Sequence, residues 1–467
     1  MYKFWTLILA GALIASSVAA PSLIQVPNDA VNRKILRDLD LDYACTGSTP
    51  EHLNFVLDEE ALQKLGKRRV FKRELMKASQ IILSNTEVQF EKIVGQDDLG
   101  VYHNFDEMVV ELEDTVNQFP GLASLEVGAS TYEGRSVYVL TLTDSSSTQE
   151  KTPFLITGTH HAREWISTEV PLAFIQYMVN GFGNNDIVTE LLKTSTFVIV
   201  PMLNPDGGVY SRQKSRMWRK NRNKVKGKMT KGIDNNRNYP YKWGGRGASA
   251  SGWSQTYRGP KAASEIETQL VINLQEQHGF KAAVSFHSYS ELILWPWGYT
   301  NKIQTTDHDI FRLHGNKMGE IMGYRPMQAS GLYEASGIFD DTLYATYGVL
   351  AYTVELGRQF VPREEQVPEI NEKSINALLY LFTNARDPFA GRENTPLLQS
   401  MRKLERLVAS LEPGASKEFK TDAINSLTEI QDKTLMQGMQ GLKMHSMLRS
   451  QIMDMVQTQR KHQEIYR

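Results

Sequence analysis

The pattern that most constrains the fold of this chain is an alternation of two kinds of apolar stretch between Val101 and Phe389. Short runs rich in β-branched residues, several of them apolar at consecutive positions, predict strands that are buried on both faces. Longer stretches with apolar residues at helical spacing separate these runs and predict helices. The predicted strands cover residues 136–142, 152–157, 196–203, 281–287 and 349–356, and the predicted helices cover 164–180, 262–277, 307–322 and 367–385. Strands that alternate with helices predict an α/β domain around a mostly parallel or mixed sheet, in which sites gather at strand ends.

Two further segments flank this region, and a short leader comes before them. Residues 1–19 contain one lysine, an apolar run and then small residues, which is the layout of a cleaved secretory signal peptide. Residues 20–96 are polar and rich in helix-forming residues, and residues 389–467 place methionine and leucine at helical spacing. We therefore predict a signal peptide, an N-terminal segment, an α/β domain at 97–388 and a helical C-terminal extension. Two interpretations of the extension remain open. Its helices could pack on the main domain or on each other, or they could form a surface that binds a partner or a second copy of the chain.

The charge balance, the leader and the cysteine content limit which binding partners and which cellular compartment we expect. The 52 Lys and Arg residues balance the 53 Asp and Glu residues, so no electrostatic bias points to nucleic acid or to an anionic membrane. The signal peptide predicts secretion without a membrane anchor, since no later stretch of the sequence is long and apolar enough to span a bilayer. Cys45 is the single cysteine, so no disulfide can form within the chain. It is interpreted as a buried small apolar residue, with a reactive thiol as the alternative.

Three residues with metal-binding side chains lie at predicted strand ends. His161 and Glu164 form an H-x-x-E pair just after the strand at 152–157, and His287 ends the strand at 281–287. Two imidazoles and one carboxylate are the protein ligands of a catalytic zinc, which keeps a fourth position for water. The pair by itself is weak evidence, because a histidine at a strand end is more often a hydrogen-bonded structural residue.

Other polar residues in the same region favour an anion-binding site. Arg219 belongs to an arginine-rich stretch, and Asn236 and Arg237 are adjacent in a predicted loop. Fixed guanidinium and amide groups bind carboxylates, although arginine-rich loops are more often only solvated. Glu355 ends an apolar strand, where a buried carboxylate needs a metal, a proton or a cation beside it.

Six short motifs occur in a fixed order across residues 101–387. They are GTHHAREWIS, RMWRKNR, GIDNNRN, SFHSYSELILWPWGY, LYEASGIFDD and YTVELG. Together they resemble the secreted zinc carboxypeptidases of the carboxypeptidase A and B family. The interval of 58 residues from His161 to Arg219 and that of 22 residues from Tyr333 to Glu355 also fit the family. The resemblance implies an α/β fold with a mixed, mostly parallel eight-stranded sheet flanked by helices.

The same resemblance implies one zinc ion per chain. Its ligands would be His161, Glu164 and His287. The neighbouring His160 matches a position that does not bind the metal. Asp234 matches an outer carboxylate that orients the first zinc-binding imidazole and fixes its tautomer.

Catalytic and substrate-binding roles are also implied by the resemblance. Glu355 matches the general base and acid, and Arg219 matches the arginine that polarises the scissile carbonyl. Asn236 and Arg237 match the pair that holds the terminal carboxylate of the substrate. Tyr333 matches a mobile tyrosine that caps the bound end. Because the pair requires a free carboxylate, only the last peptide bond of the substrate would lie over the zinc.

The resemblance also has implications for which C-terminal residue of the substrate is preferred. Arg163 and Tyr289 match residues of neighbouring subsites. Asp340 falls on the pocket position that is Asp in B-type enzymes and aliphatic in A-type enzymes, and a carboxylate there would pair with a substrate Lys or Arg. Gly298, however, agrees with the A-type pattern, and the pair Ile338 and Phe339 replaces small residues, which would narrow the pocket. We expect a preference for basic C-terminal residues.

The expected function is that of a secreted zinc-dependent exopeptidase that acts on the C-termini of peptides and proteins. Relatives in this family are made with a propeptide, so residues 20–96 would be an α+β propeptide and the chain a zymogen cut by an activating protease. The alternative is a catalytically inactive relative that binds peptides or partners. Glu355 and a complete ligand set favour the enzyme.

Overall fold

The computed structural model describes residues 99–224 and 232–389, together with the backbones of three short strands near the N-terminus. These strands are β1 (Ser22–Pro27), β2 (His52–Leu57) and β3 (Ile82–Leu83), and they form an antiparallel sheet in the order β2, β1, β3. The predicted signal peptide, Cys45 and the predicted extension after Phe389 lie outside the described residues. The three boundaries between the four predicted segments therefore stay predictions.

The main region contains one sheet of eight strands. They are β4 (Ala123–Ser130), β5 (Ser136–Leu142), β6 (Thr152–Thr157), β7 (Ser195–Val200), β8 (Ala282–His287), β9 (Leu292–Trp295), β10 (Arg325–Gln328) and β11 (Leu350–Glu355). Their order across the sheet is β10, β9, β11, β8, β6, β7, β5, β4. The pairs from β11 through β8 and β6 to β7 are parallel, as is β10 with β9, whereas the other neighbours are antiparallel. The prediction of a mixed, mostly parallel eight-stranded sheet is confirmed.

Eight α-helices lie within the described main region. They are α1 (Phe105–Gln118), α2 (Ile166–Gly181), α3 (Asp186–Thr194), α4 (Pro205–Gln213), α5 (Ile266–His278), α6 (His308–Met322), α7 (Phe339–Tyr347) and α8 (Val367–Asn384). Side chains at the starts of several helices satisfy the first backbone N–H groups, as Asn104 does for Glu107 and Asn185 does for Val188. No helix in this part of the chain is long and apolar enough to cross a membrane.

Successive residues of the central strands point to opposite sides of the sheet. Both faces are buried because helices pack against each of them. Phe154 and Ile156 of β6 belong to a core that also contains apolar residues of α2, α6 and α8. Leu155, which lies between them, belongs to a second core with residues of α5 and α7. This arrangement explains the continuous apolar runs of the central strands, and the polar residues of these strands and their loops gather at the strand ends.

One charged contact joins the start of α1 to α2. The ring of His103 contacts Glu169 through Nδ1 at 2.6 Å and Glu111 through Nε2 at 2.8 Å, and Glu169 is almost fully buried. Hydrogen bonds to the carboxylates of Glu111 and Glu169 raise the pKa of His103 to about 10. The imidazolium therefore persists at neutral pH and donates from both nitrogens.

Replacing His103 by Leu is expected to lower the free energy of unfolding by about 3 kcal/mol near neutral pH, because the buried Glu169 carboxylate loses its charged donor. A group whose pKa is raised on folding stabilises the protein fully below its unfolded pKa. That contribution is lost as the pH rises through the folded pKa, which is about 10 for His103. Urea unfolding of the natural protein and of His103→Leu, at about pH 6 and about pH 11, measures the difference in their free energies of unfolding. A difference in free energy of unfolding that is the same at both pH values would contradict the charged contact.

Candidate active site

Parallel strands bring the predicted site residues to one edge of the sheet. His287 ends β8 and Glu355 ends β11, and these two residues are register partners in neighbouring strands. The strand β6 ends at Thr157, and the loop after it carries His161 and Glu164 before α2 begins at Ile166. Three strand ends therefore deliver residues that lie far apart in sequence to the same place.

The three predicted metal ligands form one compact group. Nδ1 of His161 lies 2.8 Å from Oε1 of Glu164, and Nδ1 of His287 lies 2.9 Å from Oε2 of the same carboxylate. The two ring nitrogens are 3.0 Å apart. Each residue can offer one ligand atom so that all three atoms lie within 4.8 Å of one another, and all three residues are buried. Two imidazole nitrogens and a carboxylate oxygen that converge in this way are the donor set that zinc prefers, so the residues fit the ion.

The charge state of this group also suits a cation. Burial alone would raise the pKa of Glu164, but the neighbouring His161 and His287 rings hold it well below its usual range. Burial lowers the pKa of His287 and so favours the neutral ring that can bind a metal. The site therefore presents a carboxylate and a neutral imidazole, which are the protonation states that metal binding needs.

Asp234 joins the metal-ligand group to Arg219. Its Oδ1 lies 3.2 Å from Nε2 of His161, and its Oδ2 accepts hydrogen bonds from Nη2 and Nε of Arg219 at 2.9 and 3.2 Å. Burial would raise the pKa of Asp234, but Arg219 and His161 hold it well below its usual range. This permanently charged carboxylate fixes the His161 ring through its second nitrogen, which is how outer carboxylates orient metal ligands.

His160 supports the site from behind, which sequence reasoning missed. It does not belong to the metal-ligand group, as predicted, but its ring stacks on that of His287 with centroids 5.2 Å apart. Its Nδ1 lies 2.9 Å from Oγ of Ser285, and its Nε2 lies 2.8 Å from the hydroxyl of Tyr239. Burial, with smaller effects of His287 and His161, holds the pKa of His160 well below its usual range. A neutral ring with both nitrogens hydrogen-bonded therefore packs against a metal ligand.

One cleft contains most of the predicted site. The cleft is lined by nine of the predicted residues, namely His161, Glu164, Arg219, Asn236, Arg237, His287, Tyr289, Tyr333 and Glu355. Within it, Glu355 has a pKa well above its usual range because burial and the nearby Glu164 carboxylate both disfavour its charge, while Arg219 opposes this shift. A carboxyl group that readily holds a proton therefore lies beside the metal-ligand group.

Backbone contacts hold Asn236 and Arg237 at the cleft. Both lie in the short 3₁₀ turn Asn235–Arg237, where the backbone N–H of Asn236 donates to Oδ1 of Asp234 at 3.0 Å. The side-chain oxygen of Asn236 accepts from the backbone N–H of Phe339 at 2.9 Å. Nε of Arg237 donates to the carbonyl oxygen of Gly247 at 2.8 Å. The turn is thus fixed from several directions, which orients the amide and the guanidinium.

Two predicted site residues do not line the cleft. Arg163 is buried, with its guanidinium 4.3 Å from the ring centroid of Phe360, which in turn packs edge-to-face on Tyr289. Asp340 is buried as well, and its Oδ1 accepts a hydrogen bond of 2.7 Å from the hydroxyl of Thr353. Burial raises the pKa of Asp340 to about 7, although the Thr353 bond opposes the shift. These residues lie behind the cleft surface in this structure.

The wall around Asp340 contains residues with structural roles. The carboxylate of Asp341 accepts hydrogen bonds from the backbone N–H groups of Gly298 and Tyr299 at 2.8 and 2.9 Å. Ile338 is buried against Gly298, where an added Cβ would lie 2.3 Å from Cδ1 of Ile338. The narrowing of the pocket by Ile338 stays a prediction.

The fold and the converging ligands define a metal-binding α/β protein with an arginine and an amide beside the metal-ligand group. The sequence profile of the zinc carboxypeptidase family matches residues 108–377, which is more than half of the chain, and the chain belongs to this family. Zinc is accordingly the cofactor that the grouped His161, Glu164 and His287 fit.

Individual relatives agree with the family assignment. The chain is 34% identical to mouse (Mus musculus) carboxypeptidase A2 over 259 residues, or 52% of this chain and 60% of that protein. It is 31% identical to carboxypeptidase B of Astacus astacus over 304 residues, or 62% of this chain and 98% of that protein. A crystal structure of thrombin activatable fibrinolysis inhibitor superimposes with a TM-score of 0.67 at 25% identity, covering 79% of this chain and 99% of the other. The chain thus spans about three fifths of the mouse relative.

Proposed function

We propose that this protein is a zinc-dependent carboxypeptidase that hydrolyses the C-terminal peptide bond of peptides and proteins. The observation that carries the proposal is the cleft in which the metal-ligand group, Glu355 and the Asn236–Arg237 pair face one space. When bound, zinc supplies a Lewis acid that polarises a carbonyl group and lowers the pKa of bound water to about 7.

Glu355 is the proposed general base and acid. Its carboxyl group lines the cleft together with the metal-ligand group, so it is placed to accept a proton from water. The same oxygen then passes that proton to the leaving amine, so that one carboxyl group performs both transfers.

Arg219 is the proposed stabiliser of the negative charge that develops on the carbonyl oxygen. Its guanidinium is fully buried and is fixed by two hydrogen bonds to Asp234. A positive group that is held in place before the reaction does not need to reorganise, and one such donor contributes about 3 kcal/mol to lowering the barrier.

Arg237 and Asn236 are proposed to bind the terminal carboxylate of the substrate. Arg237 lies below the ring of Tyr333, with 5.9 Å between the guanidinium carbon and the ring centroid. A guanidinium binds a carboxylate through two parallel N–H donors, and an amidated or internal segment cannot offer the same charge. This pairing would restrict cleavage to the last bond, with Tyr333 covering the bound end.

Three finer proposals accompany this function. Asp340 supports a preference for C-terminal Lys or Arg, although its carboxylate would have to be reached behind the present cleft surface. Residues 20–96 are proposed as a propeptide that an activating protease removes. The apolar leader at 1–19 supports secretion of the protein.

Release of C-terminal amino acids from blocked short peptides tests the function. We expect the trypsin-treated full chain to cleave free-acid peptides far faster than the corresponding C-terminal amides. A zinc chelator should lower release at least about 100-fold, and added zinc should restore it. A protein that holds one zinc per chain and releases nothing from peptides ending in Phe, Leu, Lys, Arg or Glu would instead be an inactive peptide-binding relative.

The same peptides test the proposed role of Asp340. Replacing it by Asn should lower release of Lys and Arg about 30-fold relative to Phe, because a buried cation would lose its carboxylate. Since the pKa of Asp340 is about 7, the carboxylate is charged mainly above that pH, and the preference for basic residues should grow as the pH rises from 6 to 8. The exposed Asp114, replaced by Asn, serves as the matched control. Release of Phe but not Lys by the natural protein would overturn this assignment.

A further inference from the structure

A glycine-rich segment, Gly245–Gly247, lies directly against the loop that carries Tyr333. At Gly247 an added Cβ would lie 2.1 Å from the carbonyl oxygen of Glu334, and at Gly245 it would lie 2.5 Å from Oγ of Ser336. Gly247 also has a φ of +71°, a conformation that side chains with a Cβ rarely adopt. The segment therefore touches the residues that follow Tyr333 at a distance that only glycine permits. We call residues 245–247 the strap.

The strap also holds the arginine proposed to bind substrate. The carbonyl oxygen of Gly247 accepts the 2.8 Å hydrogen bond from Nε of Arg237. The loop after Tyr333 returns to the same arginine, because an added Cβ at Gly337 would lie 2.6 Å from the backbone oxygen of Arg237. Arg237, the strap and the Tyr333 loop are thus each in contact with the other two.

An ion pair closes the strap over the loop. Nη1 of Arg246 lies 2.7 Å from Oε2 of Glu334, and the side chain of Arg246 is 72% exposed while that of Glu334 is 18% exposed. A pair at the protein rim is screened by salt and contributes little to the stability of the fold. It is therefore suited to adjust the position of the loop rather than to hold the fold together.

We propose that the strap is a positioning element that sets Arg237 and Tyr333 relative to each other, and that the Arg246–Glu334 ion pair fastens it. This inference rests on the proposed function, because its consequence is measured as binding of a substrate C-terminus. The strap lies outside the metal-ligand group, so its variants should change KM and leave both kcat and zinc content nearly as they were.

The first test replaces Gly247 by Ala. We expect KM for a free-acid peptide to rise at least about tenfold, because the methyl group meets the Glu334 carbonyl and the backbone is strained at positive φ. The change in kcat should stay within about threefold. Gly121→Ala is the matched control, since an added Cβ at Gly121 has no atom within 4 Å. An unchanged KM in a folded Gly247→Ala protein would overturn the proposal.

The second test uses charge exchange, which leaves the backbone of the strap intact. Arg246→Glu and Glu334→Arg should each raise KM about threefold at low salt, and this effect should largely disappear at high salt. The double variant restores the opposite charges and should return KM to near the natural value. Single-variant effects that simply add in the double variant would contradict the ion pair as a fastening.

These outcomes can be separated from failure of the proposed function. If the natural protein releases no amino acid, the enzyme proposal itself fails, and the strap proposal fails with it if Gly247→Ala leaves the Kd for a free-acid peptide unchanged. If the natural protein is active and neither Gly247→Ala nor the charge exchange alters KM, the strap proposal alone is wrong. Equal losses of kcat and zinc content would also contradict it, because they would show a general disturbance of the metal site.

Discussion

Replacing Glu355 by Gln is expected to lower kcat about 10³-fold while the protein keeps one zinc per chain, because the amide cannot take a proton from water or return one to the leaving amine. Gln keeps the size of the side chain, so the cleft at the ends of β8 and β11 should retain its shape. Steady-state hydrolysis of a blocked peptide, with metal analysis of the same sample, measures both quantities. Removing the carboxylate also removes a negative neighbour of Glu164, which gives no reason for the metal ligands to move.

The control for this substitution is Glu320→Gln, which changes an exposed carboxylate on α6 that does not line the cleft. It should leave kcat, KM and zinc content unchanged. A Glu355→Gln protein that stays active would show that another group transfers the proton. A protein that loses both zinc and activity would mean instead that Glu355 helps to hold the metal site.

Replacing Arg237 by Ala is expected to lower kcat/KM for free-acid peptides at least about 100-fold, because the terminal carboxylate would lose its charged, two-pronged partner. Release from the corresponding amide should change far less, so the ratio of the two rates reports the lost selectivity directly. Arg237→Lys keeps the charge but not the planar fork, and we expect an intermediate loss. The peptide assay with matched acid and amide substrates measures all three proteins.

An exposed arginine on α6, Arg312, provides the matched control, and its replacement by Ala should leave the acid-to-amide ratio unchanged. Equal losses on acid and amide substrates in Arg237→Ala would refute the carboxylate-binding role. They would indicate that Arg237 acts on the turn Asn235–Arg237 itself, where its Nη1 also donates to the backbone oxygen of Asn236 at 2.6 Å.

Five strands of the main sheet could be predicted from sequence, and β4, β9 and β10 could not. The segments at 136–142 and 152–157 match β5 and β6 residue for residue, because strands covered on both faces appear as continuous apolar runs. The strand β4 was not predicted, since most of its residues are exposed or half-buried and it contains Gly128. The four-residue strands β9 and β10 were too short to show a period.

The first residue of the helix after β6 differs from the prediction because of contacts in the site. The apolar pattern predicted a helix from residue 164, whereas α2 begins at Ile166. Glu164 instead lies in the preceding turn, where its carboxylate contacts both His161 and His287. Its position follows from contacts with β8, more than a hundred residues away, and local helical spacing carries no information about them.

The sequence by itself determined the kinds of donor atoms and their spacing, and with them the family, the zinc and the fold. Those properties belong to residue types at fixed intervals, so they can be read without knowing how the chain folds. Tertiary structure alone decided that His160 packs behind His287 with Ser285 as a partner 125 residues away. It also decided that Asp340 is bonded to Thr353 behind the cleft and that Gly247 joins Arg237 to the Tyr333 loop. Burial and contact depend on how distant segments cross, and these determine both the charge state of a carboxyl group and the partners of a neutral ring.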